Sequence, residues 1–284
     1  MTQVLDGKAM AAAVREEVAK EVAEVRTTLG RPPGLAVVLV GDDAASAVYV
    51  RNKENDAKKV GMHSEVIRLP ASTSQQDVEA VVDELNRRHD IDAFLVQLPL
   101  PAGLDAGAVT DRIDPEKDAD GLHPTNLGRL LAGLPAPRPC TPSGVMMMLD
   151  ASPIELSGAH AVVIGRSTIV GKPQALMLLE RNCTVTLCHS RTRNLADEVR
   201  RAQVVVSAVG RANMIGADWI QDGAVVIDVG INRGDDGKLV GDVDYAAVAP
   251  KAAAITPVPG GVGPMTRALL LKNGVRAAAR AAKR

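Results

Sequence analysis

Apolar positions recur along the chain in two rhythms. From residue 8 to 30 they fall at Met10, Val14, Val18, Val22 and Val25, a helical spacing that stops at Gly30 before Pro32 and Pro33. Short apolar runs follow at 34–41 (GLAVVLVG), 64–69 (SEVIRL) and 92–98 (DAFLVQL). They are separated by the helical stretches ASAVYVRNKENDAKKVG and SQQDVEAVVDELNRRHD. Strands that alternate with helices predict an α/β class with a parallel sheet. The Pro- and Asp-rich passage QLPLPAGLDAGAVTDRIDPEKDADGLHPTNLG then joins no strand, and the first domain is expected to end near residue 139. Thr141, with Pro142 in the first turn, is expected to cap a helix over PSGVMMMLD. Its triplet Met146, Met147 and Met148 reads as adaptable packing. A second α/β domain, 140–269, begins at HAVVIG (160–165) and continues through TVTLCH (184–189), VVVSAVG (204–210), AVVIDVG (224–230) and AAAIT (252–256). A helix over TRALLLKNGVRAAARAAKR closes the chain.

Composition narrows the class. The 284 residues are 46% hydrophobic but only 1% aromatic, so the core must be built from Val, Ile, Leu, Ala and Met. That palette suits strands buried on both faces beneath helices. A net charge of -1, with both signs interspersed and no Lys/Arg run laced with aromatics, points away from nucleic acid. No apolar run reaches the length of a membrane span. The N-terminus lacks the unbroken apolar region of a secretory signal, so a cytoplasmic protein is expected. Cys140, Cys183 and Cys188 have no C-x-x-C spacing and read as reduced packing residues.

Several stretches carry chemistry. TPVPGGVGPMT (256–266) has six Gly or Pro residues in eleven positions, which makes a rigid shaped loop and suits holding backbone against a ligand. Gly165-Arg166-Ser167 to Gly171 follows the first strand of the second domain and opens a helix, where free amides favour phosphate. Glycines at both ends of such a turn also arise for steric reasons alone. After the next strand a ribose-binding acid is absent, and Ser190 and Arg191 stand in its place. That favours NADP over NAD, with Arg166 as a second fork, against the plainer reading of solvated loop charges. In the first domain Tyr49 and Lys53 share a helix face at i, i+4, as would a simple amphipathic helix with a snorkelling lysine. Gln97 ends a strand, where a neutral amide can orient an amine. Asp118 and Asp120 lack the other oxygen ligands of a calcium loop, and no metal is expected.

The motifs Tyr49-x-x-x-Lys53, VQLPLP (96–101), PEKDADGLHP (115–124), CTPSG (140–144), GRSTIVGKP (165–173), CHSRT (188–192), DVGIN (228–232) and TPVPGGVGPMT occur in matching order through nearly the whole chain. Together they resemble the bifunctional methylenetetrahydrofolate dehydrogenase/methenyltetrahydrofolate cyclohydrolases. The resemblance implies two three-layer domains, a folate-binding one (1–139, with the C-terminal helix 270–284 packing back on it) and a Rossmann one, usually in a homodimer. It implies that tetrahydrofolate derivatives are the partners and NADP the cofactor. Tyr49 would stack on the folate, Lys53 assist water attack, Gln97 orient Lys53 and Asp120 anchor the pterin. Pro259, Gly260 and Gly261 would line the folate site, and Gly165, Arg166, Ser167, Ser190, Arg191 and Ile231 would contact NADP. The alternative is another two-domain NAD(P) oxidoreductase, such as an amino-acid or shikimate dehydrogenase, which shares the architecture without the folate motifs.

Overall fold

A computed structural model describes residues 1–234 and 236–283. In chain order the elements are β1 (Gln3–Val4), α1 (Gly7–Leu29), β2 (Gly34–Val40), α2 (Ala44–Lys59), β3 (His63–Leu69), α3 (Gln75–Arg87), β4 (Ala93–Val96), α4 (Ala106–Asp111), α5 (Pro124–Leu131) and α6 (Cys140–Asp150). There follow β5 (His160–Ile164), α7 (Gly171–Glu180), β6 (Thr184–Cys188), α8 (Leu195–Arg200), β7 (Val204–Ser207), β8 (Val225–Asp228), β9 (Asn232–Arg233), β10 (Leu239–Val240), α9 (Tyr245–Val248), β11 (Ala254–Ile255) and α10 (Val262–Ala281). The chain divides into two compact units, one of residues 12–138 with 267–284, the other of residues 1–11 with 139–266.

The first unit is organised on a three-stranded parallel sheet in the order β3-β2-β4. Every residue of β2 is buried, as befits a central strand covered on both faces. Val78, Val82 and Leu85 of α3, spaced at i, i+4 and i+7, pack with Val38, Val40, Phe94 and Val96 of the sheet. Phe94 is fully buried and anchors this otherwise aliphatic core. The passage without strand signals is not structureless, because it contains α4 and α5. Asp105 caps α4 by accepting from the amides of Gly107 and Ala108. Residues 117–119 also run parallel beside β4: Phe94 N donates to Lys117 O and Ala119 N to Phe94 O. A single bridge of this kind leaves no apolar run for sequence patterning to detect.

The second unit holds a six-stranded parallel sheet in the order β1-β11-β8-β7-β5-β6. Setting β1 aside, this is the doubly wound order 2-1-3-4-5, in which the chain reverses direction across the sheet between β5 and β7. Beneath the sheet, Val162, Ile164, Val205, Val226 and Ile255 form one buried apolar cluster with Val199, Ile215 and Val248. The first strand corrects the expected boundary. Residues 1–11 belong with this unit, not with the one that follows them, because Gln3 and Val4 pair in register with Ala254 and Ile255.

Two helix starts also differ from expectation. Helix α6 begins at Cys140 after Pro139, so Thr141 lies inside the first turn, and its hydroxyl is 3.0 Å from the Thr266 hydroxyl instead of capping. Helix α10 begins at Val262, within the Gly/Pro-rich stretch, with Pro264 in its first turn, where a missing amide proton costs nothing. Among the described residues no helix is long and apolar enough to cross a membrane.

Candidate functional site

In the unit of residues 12–138 and 267–284, the carboxyl end of β4 gathers four of the residues singled out by sequence. Helix α2 is capped by Asp43, whose carboxylate accepts from the Ser46 amide, and its inner stripe runs Ser46, Val50, Lys53, Ala57. Lys53 therefore occupies a core position and is only 5% exposed. Lysines are almost never so buried without partners. Its Nζ donates to Gln97 Oε1 at 3.1 Å and lies 5.6 Å from the centroid of the Tyr49 ring, one helical turn earlier. Gln97 is fixed in turn, with its backbone amide donating to Val38 O and its side-chain amide to Leu98 O.

Asp120 reaches the same place through the segment that flanks β4. Asp118, 4% exposed, is spent on structure: its carboxylate accepts from the amides of Gly121 and His123 and from Asn126 Nδ2, fixing the turn that follows. Asp120 keeps some contact with solvent, but burial of its carboxyl raises its pKa. The Lys53 ammonium opposes that rise and Asp118 adds to it, so Asp120 and Lys53 sense one another electrostatically. Sequence reasoning pairs Lys53 with neutral Gln97 alone. The structure adds a carboxylate.

In the other unit a cleft of about 360 Å³ opens at the carboxyl ends of β5 and β7, the point where the winding reverses. Ile164, Gly165 and Arg166 line one side, His189, Ser190 and Thr192 a second, and Ala208, Val209 and Arg211 a third. Gly165 has φ +118°, and a Cβ there would stand 2.3 Å from Ala208 O. A Cβ on Gly171 would stand 2.0 Å from Gly165 O. Both glycines are thus required by close backbone approach. Ser167 folds the turn onto α7, its hydroxyl accepting from the amides of Val170 and Gly171. Of the residues expected at the cofactor, Gly165, Arg166 and Ser190 meet in the cleft. Ser167, Arg191 and Ile231 lie outside its lining, and Arg191 is exposed, its amide donating to His189 Nδ1.

The loop 256–261 belongs to this unit. Thr256 is buried and its hydroxyl accepts from the Asp228 amide. Gly261 packs so tightly on Gly7 that a Cβ on Gly7 would stand 1.7 Å from Gly261 O, while Pro259 is exposed and Gly260 has φ +108°.

Sequence reasoning missed the carboxylates Asp228 and Asp242 and the cation Arg211. Asp228 accepts from the amides of Gly230, Asp242 and Val243, and burial pushes its pKa up to about 6 despite those donors. The available signal was an acid beside glycine at the end of an apolar run, in DVG (228–230) and GDV (241–243).

A doubly wound parallel sheet, with glycines at its first strand-to-helix turn and a cation-edged cleft at the reversal, defines an α/β protein that binds a dinucleotide. Comparison with known proteins agrees and goes further. A family model described as the tetrahydrofolate dehydrogenase/cyclohydrolase catalytic domain matches residues 5–120, and the corresponding NAD(P)-binding domain matches residues 139–282. The bifunctional protein FolD of Magnetococcus marinus is 58% identical over 281 residues, 99% of each chain. The crystal structure of the bifunctional methylenetetrahydrofolate dehydrogenase/cyclohydrolase of Campylobacter jejuni superposes with a TM-score of 0.96 at 43% identity, covering 99% of both chains. That of the Trypanosoma brucei enzyme, complexed with NADP cofactor and inhibitor, gives 0.93 at 41% identity and covers 98% of each. The chain belongs to the tetrahydrofolate dehydrogenase/cyclohydrolase family. A shikimate dehydrogenase of Thermus thermophilus, at 18% identity and a TM-score of 0.52, shares the fold alone.

Proposed function

We propose that Tyr49, Lys53, Gln97 and Asp120 hold and process the folate in this protein, and that Gly165, Arg166 and Ser190 seat NADP, with Ser167, Arg191 and Ile231 at the edge of the cofactor site. The chain oxidises 5,10-methylenetetrahydrofolate with NADP and hydrolyses the methenyl product to 10-formyltetrahydrofolate. The observation that carries the assignment of residues is the buried Lys53 amine, held 3.1 Å from a fixed amide and coupled to Asp120.

The cofactor cleft fits its ligand on two counts. Gly165 and Gly171 let backbone approach where any side chain would fill the space, and the cations Arg166 and Arg211 border it, with no acid among its described lining residues. Bound NADP supplies the acceptor for the hydride released when the methylene C–H bond breaks. Tyr49 offers a flat face for the folate ring system, and Asp120 hydrogen-bonds pterin nitrogens that would otherwise be buried unpaired. Pro259, Gly260 and Gly261 present a stiff backbone edge to the substrate. In the second reaction a water oxygen adds to the cationic methenyl carbon. Lys53, acting as the neutral amine and held by Gln97, receives one proton of the water, and as the carbinol collapses to the formyl C=O its remaining proton passes to the bridge nitrogen whose C–N bond breaks. The reading extends to a cytoplasmic homodimer that feeds one-carbon units to purine synthesis. Its support is the family membership and the edge strand β6, where Leu187 is exposed.

Lys53→Gln separates the two reactions. Hydride transfer needs only that the two carbons be held in line, whereas hydration needs a proton taken from water. The variant should reduce NADP at a measurable rate while methenyltetrahydrofolate accumulates, its hydrolysis slowed at least ~100-fold. Wild-type hydrolysis by this variant would remove Lys53 from the water-activating role.

A further inference from the structure

Asp242 is fully buried beyond β10, yet its carboxylate reaches the wall of the cofactor cleft. Oδ2 accepts from the Ser207 hydroxyl at 2.9 Å and the Val209 amide at 2.8 Å. Oδ1 accepts from the Arg211 amide at 2.8 Å and from Asn232 Nδ2 at 3.0 Å. Four donors saturate the acceptor sites of one carboxylate, and each bond is strengthened by its charge. Gly230 makes room for the group, since a Cβ there would stand 2.2 Å from Oδ1. From behind, Asp228 fixes the Asp242 backbone by accepting its amide, and the Asp228 amide is tied to Thr256.

The turn so held, residues 207–211, is the side of the cleft on which Ala208, Val209 and Arg211 lie. Its clearance is small. Gly165 passes Ala208 O so closely that even a methyl group would not fit, and a small shift of the turn changes the width of the cleft. We propose that Asp242 is a positioning residue for the cofactor: it touches no reacting atom, but it sets the 207–211 turn before NADP arrives, so that binding does not have to order that wall. The inference rests on NADP occupying this cleft.

Asp242→Asn tests it. The amide keeps one acceptor oxygen and turns the other into a donor facing donors, so at least one of the Val209 and Arg211 amides loses its partner. The KM for NADP should rise about ten-fold with kcat little changed. Hydrolysis of methenyltetrahydrofolate, which uses no NADP, should keep its wild-type KM. Ser207→Ala removes one donor but neither backbone bond, and should alter the NADP KM less than about two-fold by the same reasoning. Independently of any variant's folding, amide hydrogen exchange in the cofactor-free wild type should show Val209 and Arg211 protected relative to Gly210. The inference is overturned by a wild-type NADP KM in Asp242→Asn, or by equal damage to both activities, which marks a merely structural residue. Val209 and Arg211 amides that become protected only when NADP is added would overturn it as well. A wild-type protein without NADP-dependent turnover would overturn the functional reading along with it.

Discussion

Asp228 shows how burial at a single residue becomes a pH dependence of the whole unit. The residue is 3% exposed and burial pushes its pKa up to about 6, so near pH 5 the folded protein holds a proton there that the unfolded chain, with an ordinary aspartate, has lost. Between about pH 4 and 6 the folded state binds more protons than the unfolded, and stability falls as pH rises through that window. The contribution is present below the unfolded value and amounts to roughly 3 kcal/mol when fully lost. The expected outcome is that wild type loses stability relative to Asp228→Asn as pH rises from 4 to 6.5, read as a widening difference between their denaturation midpoints. A difference constant across that range would mean that Asp228 is not the titrating group. The sequence offered little to predict this. Tyr49, Lys53 and Gln97 are legible from helical spacing and a strand end. Asp228 and Asp242 acquire their character from backbone amides as far as 15 and 33 positions away in sequence.

Among elements, apolar rhythm finds the ones whose burial is local. β2, β5 and β8 are continuous apolar runs, and the structure places strands there. β1 has two residues and β11 two, and each is a strand only because the other, or β8, lies beside it. Helices α4 and α5 hide in a Pro- and Asp-rich passage because their starts are written in caps, Asp105 and His123 with Pro124, and not in an apolar stripe. The glycine turn before α7 is the element on which cofactor binding depends. Gly171→Ala puts a methyl group 2.0 Å from the Gly165 carbonyl oxygen, so the turn must move. The predicted result is a loss of about 1–3 kcal/mol in thermal stability, as for overpacking elsewhere, together with NADP binding weakened at least ten-fold. Calorimetry and cofactor titration on one preparation would measure both. Unchanged affinity would mean that this turn does not shape the cleft.

For the whole molecule, each compact unit is completed by a distant piece of chain. Helix α10 runs out of the Gly/Pro-rich stretch, and residues 267–284 join the unit that begins at residue 12. There Arg267 pairs with Asp56 at 2.8 Å, three residues beyond Lys53. Asn273 donates to the carbonyls of Ala119 and Arg138, the first of them adjacent to Asp120. The C-terminal segment thus steadies both chain stretches that deliver the proposed folate residues; its Ala- and Leu-rich pattern does not announce that task, and only the family resemblance implies that this helix packs back on the first domain. The most direct measurement of the account is a spectrophotometric assay of the purified protein with 5,10-methylenetetrahydrofolate, NADP and NAD, with Lys53→Gln run alongside. It predicts NADPH formation with little standing methenyl absorbance in the wild type, and NADPH formation beside a persistent methenyl band in the variant. Absence of methylenetetrahydrofolate oxidation in the wild type, or hydride transfer confined to a hydroxy or amino acid such as shikimate, would contradict it.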